Sequence, residues 1–231
     1  MIELSLLGGW RLTADGQPVA LPEAGRRIVA YTAVVGPSTR QHLVGALWPE
    51  APEVQAHACL RSALWRIKRC LQPLLITRGD WVVLDLKKVR LDLAELNARL
   101  LCPPDPPRPE PAYLTGGDLL PDWYDDWVLP KQEQLRQHCL HALDRLAAAL
   151  LEHGDCAGAL EMALGAVAME PLRESAHRAV IEVHLREGNA SEALRHYQSY
   201  RRLLWSELGL DPSPLLRRLL PVRTSSTSAL S

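Results

Sequence analysis

The stretch PEVQAHACLRSALWRIKRCLQPLLITRGDWVVLD, residues 52 to 85, decides how the first half of the chain reads. It opens on Pro52, which suits a helix's first turn because the amide it lacks has no intrahelical partner there. Apolar residues then recur at helical spacing until Pro73, where a helix cannot continue. At about 100° per residue, Leu60, Ala63, Leu64, Ile67 and Leu71 share one face, the side expected to meet the core. Gln55, Ala58, Ser62, Trp65, Arg66 and Arg69 share the opposite face, with Arg61 and Lys68 on its flank. Beyond Pro73, LLIT (74–77) and WVVLD (81–85) are two β-rich runs joined by Arg78-Gly79-Asp80, and they read as a β-hairpin.

Upstream, Arg26 to Val35 is periodic like a helix and closes at Gly36-Pro37. Ser38 with Gln41 three residues on predicts a capping box that starts a second helix, running to Trp48 and stopping at Pro49. Before these, IELSLLGGWRLTADGQPVAL alternates apolar and polar residues around Gly8-Gly9 and Asp15-Gly16, the pattern of a short antiparallel meander. Strands, three helices and a terminal hairpin, in that order, describe a winged helix-turn-helix over residues 1–95.

The segment CPPDPPRPEPA, residues 102 to 112, holds six prolines and predicts a linker. Beyond it the chain reads as helical and repeats itself. Gly154-Asp155 recurs as Gly188-Asn189, and Ala159-Leu160 as Ala193-Leu194, each 34 residues on. That is the tetratricopeptide period, a helical hairpin turning at the glycine. Leu143, Leu146, Leu150, Val180, Val183 and Leu185 supply faces for such hairpins to bury against one another. The expected fold class is therefore mainly α, with an α+β winged domain at 1–95 and an α-helical tetratricopeptide-like domain at 96–220. The polar tail, 221–231, is expected to be disordered.

Composition narrows the function. The 231 residues are 47% hydrophobic and 23% charged, enough to bury a core, which excludes a disordered protein. No run of about 18 apolar residues and no basic leader is visible, so a cytoplasmic protein without a membrane span is expected. Five scattered cysteines without a CxxC pair predict neither a disulfide framework nor a zinc knuckle. The net charge of −1 conceals an asymmetry. Residues 1–90 carry twelve basic against seven acidic side chains, +5, and residues 91–231 carry fourteen against twenty, −6. A basic first part points to a polyanion as its partner.

The outward face of the third helix carries the residue types that read base edges, since arginine pairs with guanine and glutamine with adenine. Gln55, Arg61, Ser62, Trp65, Arg66, Lys68 and Arg69 are the candidates there, with Arg78 at the hairpin tip. Thr39 and Arg40, with the amides of the second helix's first turn, are candidates for phosphate oxygens. Each has a plainer reading: a solvated amphipathic face, and a simple helix start. Trp65 has two open fates, restricting entry to a groove or packing under the hairpin. In PDWYDDW, residues 121–127, three carboxylates among aromatics are read as caps for a helix beginning near Pro130. His138 and His141 lack a third metal ligand, and His177 and His184 read as packing residues. No lysine follows a glycine and no G-x-S-x-G or HExxH occurs, so no catalytic residues, metal or cofactor are expected.

Several stretches resemble one family. YLTGGDLLPDWYDDWVLPKQEQLR, LLEHGDCAGALEMALGAVAMEPLRESAHR and EALRHYQSYRRLLWSELGLDPSP are similar to the bacterial transcriptional activator domain of the streptomycete antibiotic regulatory protein type. ALWPEAP and LRSALWRIKRCL resemble the second and recognition helices of that family's winged domain, which is related to the one in response regulators. The resemblance implies a sequence-specific transcriptional regulator, an activator, that binds double-stranded promoter DNA as a homodimer on direct repeats. It implies contacts to the transcription machinery, RNA polymerase subunits included. It places Arg61, Ser62, Trp65, Arg66 and Arg69 on DNA with Arg78 on the wing, although Trp65 stands where related helices carry smaller polar residues. A second reading keeps a tetratricopeptide-type protein-interaction module whose degenerate winged domain does not bind DNA.

Overall fold

The structure, a computed structural model, describes residues 1–101, 107–109 and 114–220. The expected linker at 102–112, save 107–109, and the expected disordered tail at 221–231 lie outside the described residues. The fold is mainly helical with a small N-terminal β region. Chain contacts separate two compact units. One holds the N-terminal elements together with Gly116–Arg136, and the other holds the chain from Gln137 on.

In the first unit, β1 (Ile2–Ser5), β2 (Arg11–Ala14) and β3 (Gln17–Pro18) form the antiparallel meander. It is followed by α1 (Glu23–Val34), β4 (Ser38–Thr39), α2 (Arg40–Leu47), α3 (Glu53–Cys70), β5 (Leu75–Arg78) and β6 (Trp81–Leu84). The hairpin β5–β6 gains β4 as a third strand, with Ser38 opposite Val82. That pairing moves the helix start. Ser38 is held extended and bonds back to the Gly36 carbonyl, so Thr39, not Ser38, caps α2 by accepting the His42 amide at 3.2 Å. Leu60, Ala63 and Ile67 of α3 are buried with Ile28, Leu43 and Leu47, whereas Leu64 and Leu71 are only half-buried.

Two elements carried no clear signal. β7 (Val89–Leu91) lies parallel to β1, with Leu4 opposite Leu91, giving the sheet order β3-β2-β1-β7. Directly after it, α4 (Asp92–Leu101) begins, so the expected boundary at residue 95 falls inside a helix. The Asp92 carboxylate accepts the amides of Leu6, Leu7 and Leu93 at 2.9, 3.1 and 2.7 Å, tying α4 to the end of β1.

The 116–136 stretch completes the first unit. Leu7 bridges Leu119, and the Leu120 amide donates to the Leu6 carbonyl at 2.8 Å. The Gln132 side-chain amide donates to the Leu119 and Leu120 carbonyls, both at 2.9 Å. Trp123 stacks on Trp10 at 6.1 Å, and Trp127 meets Tyr31 edge-on at 4.9 Å. Asp125, expected as a helix cap, instead forms an ion pair with Arg27 of α1. Its position within an aromatic cluster explains this, because a half-buried guanidinium needs a charged partner more than an exposed helix end does.

In the second unit, α5 (Leu129–Glu152, which begins in the first unit), α6 (Cys156–Met169), α7 (Glu174–Arg186) and α8 (Ala190–Leu208) make two successive hairpins, and α9 (Pro214–Leu219) comes after them. The 34-residue repeat is visible in the backbone. Gly154 and Gly188 have φ of 83° and 80°, the left-handed conformation that glycine adopts without a Cβ clash. The next amides, of Asp155 and Asn189, reach back to Leu150 and His184 at 2.9 and 2.8 Å, the same helix-ending motif in both hairpins. Ala159 and Ala193, the repeated alanines, are fully buried where the helices approach each other. Ile181, Ala193, Tyr200, Leu204 and Leu216 form one apolar cluster closing the end of the repeat.

Candidate nucleic-acid interface

The surface opposite the buried ridge of α3 is built from side chains at one-turn spacing. Gln55, Arg61, Ser62, Arg66, Lys68 and Arg69 are all exposed, and so is Trp65. Helix α3 starts without a side-chain cap but is tied to α2. The His57 ring Nε2 donates to the Gln41 side-chain oxygen at 3.0 Å, and Glu53 lies 3.8 Å from the same ring nitrogen. Its orientation is thus set by the core on one side and by this polar bridge at its start.

The exposed residues divide between two clefts. On one side Gln55, Ser62 and Arg66 border a cleft of about 360 Å³ together with Pro22, Gly25 and Trp48. On the other, Arg40, Arg61, Trp65 and Lys68 border a cleft of about 430 Å³ whose far wall is β5, including Thr77. Among the described residues no carboxylate lines either cleft. Among them, too, Arg61, Arg66 and Lys68 have no hydrogen-bond or ion-pair partner, so their charges are unspent. The Arg69 guanidinium carbon lies 4.8 Å from the centre of the Trp65 ring. Trp65 is 57% exposed, so it neither packs under the wing nor joins the core.

The flanking candidates are placed differently. Arg78 ends β5 beside the hairpin turn, opposite Trp81, and both are exposed. Thr39 and Arg40 are half-buried at the start of α2. Two amides there are already committed: Arg40 donates to the Asp80 carbonyl at 2.9 Å and His42 to Thr39. The helix start therefore offers the Arg40 side chain more than a ring of free amides. Thr77 and Trp48, which line the clefts, were missed, since a strand threonine and a helix-ending tryptophan carry no distinguishing sequence signal.

The other candidates of the sequence do not converge. His138 is exposed, while the His141 ring accepts from Arg173 at 3.3 Å. Cys139 between them is buried, which pushes its thiol up to about 11. Among the described residues no group of three or more His, Cys, Asp or Glu is placed to hold a metal ion, and no helix is long and apolar enough to cross a membrane. His177 is buried in the second unit, stacked 4.0 Å from Tyr200.

Residues 113–220 match the family described as Bacterial transcriptional activator domain. The chain is also similar to Regulatory protein AfsR of Streptomyces coelicolor, 28% identical over 234 residues, covering 94% of this chain and 24% of that protein. AfsR of Streptomyces griseus is 27% identical over 195 residues, covering 79% of this chain and 20% of that protein. The chain thus spans between a fifth and a quarter of these relatives' length. Its fold is similar to that of Mycobacterium tuberculosis EmbR, solved in complex with a low affinity phosphopeptide. That match has a TM-score of 0.70 at 22% identity and covers 96% of this chain and 66% of EmbR. These matches agree with the resemblance to the antibiotic regulatory protein type read from the sequence. The matched residues take in the Trp123–Trp127 cluster that packs in the first unit, while α3 and its clefts lie upstream of them.

Proposed function

We propose that this regulator binds promoter DNA sequence-specifically, with α3 in the major groove and the β5–β6 wing on the adjacent backbone. The observation that carries the reading is the set of exposed, unpartnered cations on α3, with Arg66 opposite the buried Leu60, Ala63 and Ile67 and Arg61 and Lys68 on the flank. Unpaired arginines held on the outward side of a rigid helix suit base edges. Arg40 and Arg78, off that ridge, suit phosphates, which fix register without reading sequence. Each residue then has a role: Arg66 and Arg69 for guanine edges, Gln55 for adenine, Ser62 for either, Arg61 and Lys68 for the groove wall, and Thr39, Arg40 and Arg78 for the backbone. The boundary between a DNA-reading part and a helical-repeat part is drawn at about residues 95–96. The more acidic remainder stays off the duplex and meets the transcription machinery, RNA polymerase subunits among its partners, and a homodimer on direct repeats gives activation.

Selection of bound fragments from random duplexes, followed by affinity measurements across a salt series, tests this. The expected motif is a direct repeat with half-sites about one helical turn apart or a multiple of it. Arg66→Ala and Arg69→Ala each cost about 1–3 kcal/mol at one base position. Arg40→Ala and Arg78→Ala weaken all duplexes alike and reduce the salt slope by about one each. No retention on any duplex at low salt transfers the assignment to a protein-interaction module.

A further inference from the structure

We propose that Trp65 and Arg69 act as one reading unit for a thymine–guanine step, the indole meeting the thymine methyl while the stacked guanidinium pairs with guanine. This rests on α3 entering the major groove, as proposed above. The pair sits at the surface: the guanidinium carbon lies over the ring, 4.8 Å from its centre, and the indole is 57% exposed. Its position excludes a packing role, because the core side of α3 is filled by Ala56, Leu60, Ala63 and Ile67.

Stacking uses the flat face of a guanidinium and leaves its in-plane N–H fork free for two acceptors. An arginine otherwise loses much rotamer freedom when it pairs, and the ring beneath limits that loss. Guanine presents O6 and N7 as adjacent acceptors, the match for a fork held in one plane. The indole is a large apolar surface with a single donor and no acceptor. In the major groove the apolar feature available to it is the thymine 5-methyl group. Four residues apart, the two side chains meet over one helical turn, so they reach neighbouring base pairs rather than distant ones. The neighbouring cleft of about 430 Å³, bordered by Arg61, Lys68 and Arg40, gives the flanking phosphates cations on the same side.

The test uses the full chain and the duplex recovered by selection, with single-atom changes in the DNA. Deoxyuridine in place of the thymine removes only the methyl group, and 7-deazaguanine removes only N7. Wild type is expected to lose about fourfold in affinity on the first and about fivefold or more on the second. Trp65→Ala becomes indifferent to deoxyuridine and loses part of its response to 7-deazaguanine. Its salt slope stays unchanged, since no charge is removed. Trp65→Phe restores the methyl response in part, and Arg69→Lys keeps the salt slope while its 7-deazaguanine response weakens, since an ammonium lacks the planar two-donor fork. Thermal melts of the variants matching wild type confirm that the surface changes leave the fold intact. Specific binding that ignores both base changes, or a Trp65→Ala protein that keeps both responses, overturns the reading unit while leaving DNA binding standing. Failure of wild type on every duplex removes the docking reading and this one together.

Discussion

Asp92 shows how much one side chain organises in the first unit. Its carboxylate accepts three amides, two of them at the end of β1 and one at the start of α4. Leu6 is fully buried, so its amide has no water to turn to. Asp92→Ala is expected to lower stability by about 2–3 kcal/mol, the worth of hydrogen bonds to a charged group plus orphaned donors, read as a shift in the urea midpoint. His177 and His196 make a second case. The Pro171 carbonyl can only accept, so the His177 Nε2–H donates to it at 2.8 Å. The other His177 nitrogen then accepts from His196 Nε2 at 2.9 Å. A ring that donates at one nitrogen and accepts at the other is uncharged, so His177 is neutral in this arrangement. Burial, with the neighbouring His177 and His184, pushes His196 down to about 4, and burial lowers His177 despite the Pro171 bond and Glu174. Unfolded histidines titrate near 6.5. Between about 4 and 6.5 the unfolded chain therefore binds more protons, and stability falls as pH falls through that window. Urea midpoints at pH 7 and pH 5 should differ in this direction, and His196→Asn should shrink the difference.

At the scale of elements, the hairpin turns of the second unit are alike because each needs one residue at positive φ. At Gly188 an added Cβ meets no neighbour, so the cost of Gly188→Ala is conformational alone. It is expected at about 1 kcal/mol, measured by thermal melting. These turns were legible in the sequence because a glycine at a fixed period is a local signal. So was the facing of α3, whose periodicity separates Leu60, Ala63 and Ile67 from the exposed arginines. The start of α2 was misplaced by one residue for a reason no local rule contains. The pairing of Ser38 with Val82, over forty residues away in the chain, holds Ser38 extended and hands the cap to Thr39. The Trp65–Arg69 contact was equally invisible, since periodicity puts two residues on one face without saying that they touch.

At the scale of the whole molecule, the first unit is assembled from distant parts of the chain. Residues 116–136 supply Leu119, Leu120, Trp123 and Trp127 to β1, Trp10 and α1. A fragment of residues 1–136 is therefore expected to unfold cooperatively, and a fragment of 1–101 to be markedly less stable and to bind a hydrophobic dye. Equal midpoints for the two fragments in urea count against this assembly. The reading of PDWYDDW as helix caps missed the point for the same reason. The stretch serves tertiary contacts, with Asp125 facing Arg27 nearly a hundred residues upstream.

Residue order alone determined where most helices and turns begin and end, which face of α3 is wet, and the 34-residue repeat. Each of these depends on neighbours within a turn or on a recurring residue type. Only the tertiary structure decided the β1–β7 pairing, the docking of 116–136, the cap at Thr39 and the grouping of cations around two clefts. Those depend on contacts between residues tens of positions apart, and such contacts leave no period in the chain that makes them.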